Sequence, residues 1–145
     1  MKEPRGALYR ALLDHAACAC TKALLVLRDD LGLEEQGRRC LESLGRFVTA
    51  VEEKSSWPGT ELSGHTAKVY SFRYDRASAE ILQSFSEGLY DWTQPGLPED
   101  LCLLREAGDP WLVTIAHERD AFVRLTEREA ADVVSNLSGL ELEKA

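Results

Sequence analysis

Long apolar runs are missing from this sequence, and that absence already removes one class of protein. The longest apolar stretch near the N-terminus, Ala23 to Leu27, is far short of the ~20 residues that a membrane-spanning helix needs. The first residues, Met1-Lys2-Glu3-Pro4-Arg5, carry an acid and a proline, and the segment after them is interrupted by Arg10, Asp14, His15 and Lys22. No hydrophobic signal region forms there, so a cytoplasmic location without membrane attachment is expected.

Basic charge is also scarce. Lys and Arg number 17 against 25 Asp and Glu, for a net charge of -8. A polyanion is repelled by such a chain unless a basic patch overrides the mean, so no nucleic-acid partner is expected. The densest basic spot, Arg38-Arg39, lies among Glu34, Glu35 and Glu42 and reads as a solvated face with paired charges. The acidic balance suits solubility, or a basic protein partner.

Phosphate loops, nucleophile elbows and paired metal-ligand spacings are absent as well. Ser55, Ser56 and Ser63 stand in loop composition with no glycine-flanked elbow. The four cysteines do not form a ligand set: Cys18 and Cys20 point to opposite sides of an expected helix, and His15 with Cys18 has no matching second pair. Cys40 and Cys102 fall in apolar periods. All four read as reduced thiols acting as small hydrophobes, and no metal or cofactor is expected.

What remains is an ordinary globular composition, 44% hydrophobic and 29% charged over 145 residues, which fits one domain spanning 1–145. Leu13, Ala17, Cys20, Leu24 and Leu27 follow helical spacing and predict a helix over 7–30. Cys40, Leu41, Leu44, Phe47, Val48 and Val51 predict a second over 34–51, giving an αα-hairpin within 1–53. Residues 54–65 read as a loop around the turn dipeptide Pro58-Gly59. Alternation of Tyr70, Phe72 and Tyr74 against Val69, Ser71 and Arg73 predicts a strand over 66–74.

Asp75 is placed as the N-cap of a helix over 76–90, with Leu82, Phe85, Leu89 and Trp92 on its inner stripe. Three short strands over 101–105, 111–116 and 121–125 form a β-meander, and Thr126 with Glu129 makes the capping box of a last helix within 66–137. A polar tail over 138–145 is expected to fray. The expected class is α+β: an N-terminal αα-hairpin and two further helices packed on an antiparallel sheet of about four strands.

Candidate functional residues concentrate in two segments. The tetrad His117-Glu118-Arg119-Asp120 turns one buried strand into the next, where side chains held by a scaffold reach solvent. A histidine beside a carboxylate can serve as a general base, although a charged hairpin turn has the same composition. His65 begins the first strand after Gly64 and could join His117 and either Asp100 or Glu118 in a two-histidine site. Trp57, Trp92 and Trp111 each neighbour a proline. Trp111, on an inner strand, is expected in the core, whereas Trp57 and Trp92, near loop prolines, read equally as core plugs over loop ends or as anchors of a partner surface.

Together EEKSSWPGTELSGHTAKVY, from Glu52 to Tyr70, and LYDWTQPGLPEDLCLLREAGDPWLVTIAHERDAF, from Leu89 to Phe122, resemble a group of short bacterial proteins without an established biochemical activity, some of which carry the name stage III sporulation protein AH. The resemblance covers most of the chain. It implies no catalytic residue, cofactor or substrate, and it marks Trp57, His65, Trp92, Asp100, Trp111, His117 and Glu118 as positions inside its motifs.

The leading expectation is a non-enzymatic protein-binding or regulatory module that uses Trp57, His65, Trp92, Asp100, His117 and Glu118. An acidic immunity-type protein that neutralises a basic toxin is one concrete form. A small hydrolase or metal-assisted enzyme built on His65, His117, Glu118 and Asp100 is the alternative. A homo-oligomerising structural domain with tryptophans in its interface is a third.

Overall fold

The computed structural model describes residues 1–143. Helix α1 (Ala7–Ala16) presents Tyr9, Leu12, Leu13 and Ala16 as one buried stripe at i, i+3, i+4 and i+7. The helix then stops, and Lys22–Leu27 forms strand β1. The expected helix over 7–30 is therefore corrected: its second half is a strand. Lys-Ala-Leu-Leu-Val-Leu lies between two other strands, with Leu25 in the core beneath the helices and Val26 in a cluster on the opposite face. Burial on both faces yields a continuous apolar run, which periodicity cannot tell from a buried helix.

The same correction applies downstream. Helix α2 (Glu35–Leu44) is followed by a single 3-10 turn, and Val48–Lys54 is strand β2. Since β1 separates α1 from α2, there is no αα-hairpin. Within the stretch expected as loop, β3 (Ser56–Trp57) and β4 (Thr60–Glu61) form a two-residue-turn hairpin. Gly59 in that turn has φ of +89°, and a Cβ there would stand 2.9 Å from both Val113 Cγ1 and Ile115 Cγ1. Only glycine allows the hairpin to lie this close to the sheet.

The second half follows expectation more closely. Strand β5 (Ala67–Arg73) leads into α3 (Arg76–Phe85), whose N-terminus carries the Asp75 and Ser78 capping box. Helix α3 ends at Phe85 rather than Tyr90; Leu89 and Trp92 stay buried, but from an irregular segment beyond the break at Ser86 to Gly88. Strands β6 (Glu99–Leu104), β7 (Pro110–Ile115) and β8 (Asp120–Val123) form the expected meander. Helix α4 (Glu127–Asn136) begins at the Thr126 and Glu129 capping box. Residues 144 and 145 of the expected tail lie outside the described residues, while Leu137 and Leu140 pack on the core.

The class is α+β, with six main strands in the order β2-β5-β1-β6-β7-β8, antiparallel throughout. The sheet exceeds the expected four strands because β1 and β2 join it. The main core gathers Leu12 and Leu13 of α1, Leu44 of α2, Leu82 of α3 and Val133 of α4 with Leu25, Phe72 and Leu103 of the sheet. On the opposite face, Trp57 of the β3–β4 hairpin packs with Val26, Ala67 and Val69.

Candidate functional site

Register places the candidate residues along one end of the sheet. Leu27 at the close of β1 pairs with Lys68 at the opening of β5, which pairs in turn with Glu53 near the close of β2. Val26 pairs with Glu99 at the start of β6, and Ile115 at the close of β7 pairs with Asp120. The strand ends and connections here carry Asp29, Asp30, Glu34, Glu35, Glu52, Glu53, Glu61, His65, His117, Glu118 and Asp120, all exposed.

Beneath these loops lies a buried polar group. Glu99 is 2% exposed and Asp100 0%. Asp100 Oδ2 accepts the indole N–H of Trp57 at 3.0 Å, and Oδ1 accepts the backbone N–H of Ala116 at 3.0 Å. This one carboxylate therefore ties the β3–β4 hairpin and the β7–β8 turn to the first residues of β6. Asp100 has φ of +56° and Arg119 of +53°, so two non-glycine residues hold the left-handed region within this end of the sheet.

Glu99 Oε1 accepts the Gln94 N–H at 2.9 Å and the Thr93 hydroxyl at 3.2 Å. Its other oxygen, Oε2, lies 3.8 Å from Arg28 Nε and has no hydrogen-bond partner. The Arg28 guanidinium also sits 5.4 Å from the centroid of the Trp57 ring, a cation–π arrangement. Gln94 completes the frame: its amide accepts from Arg28 N at 2.7 Å and donates to the carbonyls of Arg28 at 2.9 Å and Gly32 at 2.7 Å.

Of the six candidate residues, Trp57 and Asp100 touch each other in this frame. Trp57 is 6% exposed and serves as a strut beneath the surface. Trp92 is fully buried, and its indole N–H donates to the Tyr9 hydroxyl at 2.9 Å within the main core; only its carbonyl, which accepts from Asp100 N at 3.0 Å, reaches the frame. Burial also pushes the Tyr9 hydroxyl up to about 12. Trp111 is buried as expected.

His65 is exposed, with Nδ1 3.0 Å from the Ser63 carbonyl oxygen. His117 lies beside Glu118, at 3.9 Å between Nε2 and Oε1. β5 and β7 are three steps apart in the sheet, roughly 14 Å at the usual spacing of neighbouring strands. Among the described residues, the ligand-bearing group that comes together is Glu99, Asp100 and His117, with one donor atom of each within 4.8 Å of the others. His65 and Glu118 stand outside it.

Glu99, Arg28 and Gln94 are the residues that sequence reasoning did not single out. The available signal was the acidic pair Glu99-Asp100 directly ahead of the apolar run Leu101 to Leu104: a strand buried along its length draws its first residues inside as well.

No helix among the described residues is long and apolar enough to cross a membrane. No protein-family model, curated protein or solved structure matches this chain.

Proposed function

We propose that this protein is a non-catalytic binding module, and that the acidic sheet end receives a basic protein partner. The observation that supports this reading is the row of exposed carboxylates along that end, from Glu52 and Glu53 on the β2 edge, past Asp29, Asp30, Glu34 and Glu35, to Glu118 and Asp120 at the β8 edge. The cations at this end are partly engaged: Lys54 is within 3.9 Å of Glu52, Arg38 donates to the Leu33 carbonyl, and Arg119 lies over the Tyr90 ring. Complementary charge of this kind accelerates encounter and discriminates between partners.

Rigidity supports the same reading. Arg28, Trp57, Gln94, Glu99 and Asp100 brace the loops from below, so less conformational entropy is lost when a partner docks. Trp57 and Asp100 act as supports in this account, and His65, His117 and Glu118 are the candidate residues that meet the partner. An immunity-type role against a basic toxin is one form such a module takes.

The test is affinity capture from the native host at about 50 mM and about 500 mM salt, a range that shortens the screening length severalfold. The wild-type chain is compared with a reversal variant, Asp29→Lys, Asp30→Lys, Glu52→Lys and Glu53→Lys, and with a control, Glu127→Lys and Asp132→Lys on α4. A basic polypeptide held by wild type and control at low salt, and released by the reversal or by high salt, is expected. Equal retention by both variants would overturn the assignment to the sheet end.

A further inference from the structure

We propose that Glu99, Asp100 and His117 bind one divalent transition-metal ion, at a site that shares His117 with the proposed partner surface but whose evidence does not depend on that surface. Three features lead there. One donor atom from each residue already lies within 4.8 Å of the others. One carboxylate oxygen of this set, Glu99 Oε2, is buried and has no hydrogen-bond partner. Two adjacent carboxylates are buried and, among the described residues, the one ion pair to them is from Arg28, leaving negative charge in excess in a region shielded from water.

Arg28 offsets one of the two charges as an ion pair but does not hydrogen-bond the free oxygen. Its Nε is also without a hydrogen-bond partner, and the 3.8 Å separation from Glu99 Oε2 exceeds hydrogen-bond length. A cation coordinated by Oε2 supplies the missing partner. With a hydroxide or another anionic group in the position left open toward solvent beside His117, the site reaches neutrality.

Donor chemistry narrows the ion. Two carboxylates and an imidazole suit zinc, manganese or ferrous iron, whereas calcium takes six to eight oxygens. Zinc bonds of about 2.0–2.2 Å place tetrahedral donors about 3.4 Å apart, so from separations of up to 4.8 Å the group contracts by at most about 1.4 Å. His117 can supply that movement, since its side chain is 44% exposed on a short turn. The carboxylates stay in place: Trp57 and Ala116 orient Asp100, and Gln94 and Thr93 orient Glu99. Such outer-shell hydrogen bonds leave lone pairs free for a metal.

Chelator-treated protein is titrated with zinc by calorimetry and thermal denaturation, and with cobalt by visible absorption. Wild type is expected to take up one ion per chain, to melt at a higher temperature with zinc, and to give a cobalt ligand-field band. His117→Ala, a change at an exposed position, should retain the fold, lose the cobalt band and weaken zinc binding by more than roughly tenfold, the loss typical of removing even an outer-shell partner. His65→Ala and Cys18→Ser should bind as wild type does. The proposal fails if millimolar zinc produces neither saturable heat nor a thermal shift. It also fails if His117→Ala binds like wild type, or if either control variant abolishes binding.

Discussion

Trp57→Phe separates a supporting role for this tryptophan from a contact role. The substitution keeps an aromatic ring over Val26, Ala67 and Val69 but removes the indole N–H that Asp100 Oδ2 accepts at 3.0 Å. A hydrogen bond to a charged group contributes about 1.5–3 kcal/mol, and the orphaned acceptor belongs to a fully buried carboxylate. Adding about 1 kcal/mol for the smaller ring, the expected loss is about 2.5–4 kcal/mol. At roughly 3 °C per kcal/mol for a chain of this size, the melting temperature should fall by about 8–12 °C.

Urea unfolding followed by circular dichroism measures this loss, with the midpoint shifted and the slope unchanged. Asp100→Asn provides the second arm of a double-mutant cycle, since asparagine tolerates the positive φ at this position. A coupling energy of at least about 1 kcal/mol is expected between the two. Destabilisation below about 0.5 kcal/mol, or strict additivity, would refute the bracing role of the pair.

Arg105 should link stability to pH. It donates to Glu129 at 2.5 and 3.3 Å, to Asp109 at 2.8 Å, and to the carbonyls of Pro110 and Arg124, and the Arg105 hydrogen bond holds the Glu129 carboxyl below its ordinary value. Arg105→Met is expected to cost about 2 kcal/mol near neutrality. Because Glu129 is lowered on folding, that difference should be complete above about pH 4.3 and shrink as pH falls through the folded value; a wild-type-to-variant gap that is constant with pH in thermal melts counts against it. Burial pushes the thiols of Cys20, Cys40 and Cys102 up to about 12, while Cys18 is exposed. A colorimetric thiol reagent should therefore modify one cysteine rapidly and the other three only on unfolding, and a second fast thiol would contradict the burial of Cys20, Cys40 and Cys102.

The elements legible in the sequence are those closed by local chemistry. Asp75 and Thr126 fold back on the first turns of their own helices, and Pro58-Gly59 turns the chain within four residues. The β6–β8 meander was legible for a related reason, since its strands are neighbours in sequence and in the sheet. Strands β1 and β2 were not. Their apolar residues match a helical period over a short window, and the preference is overridden by pairing with β5, which is remote in the chain.

The candidate site divides the same way. His117 and Glu118 were recognisable because a charged turn between two apolar strands stands out, but for Trp57 and Trp92 the sequence left core and surface equally open, and both are inside. Proline beside an aromatic ring reports a fixed backbone, not the direction in which the ring turns. Nor does any local pattern reveal that Arg28, Trp57 and Glu99, distant in the chain, meet around one buried carboxylate pair.

By itself the sequence determined the acidic balance, the helix starts, the tight turns and the apolar character of each segment, because these depend on a residue and its near neighbours. The tertiary structure decided which apolar segments became strands, which aromatics were withdrawn from solvent, and which carboxylates were buried together. Those outcomes depend on pairing and burial between residues tens of positions apart, where the free energy belongs to the assembled sheet rather than to any one segment.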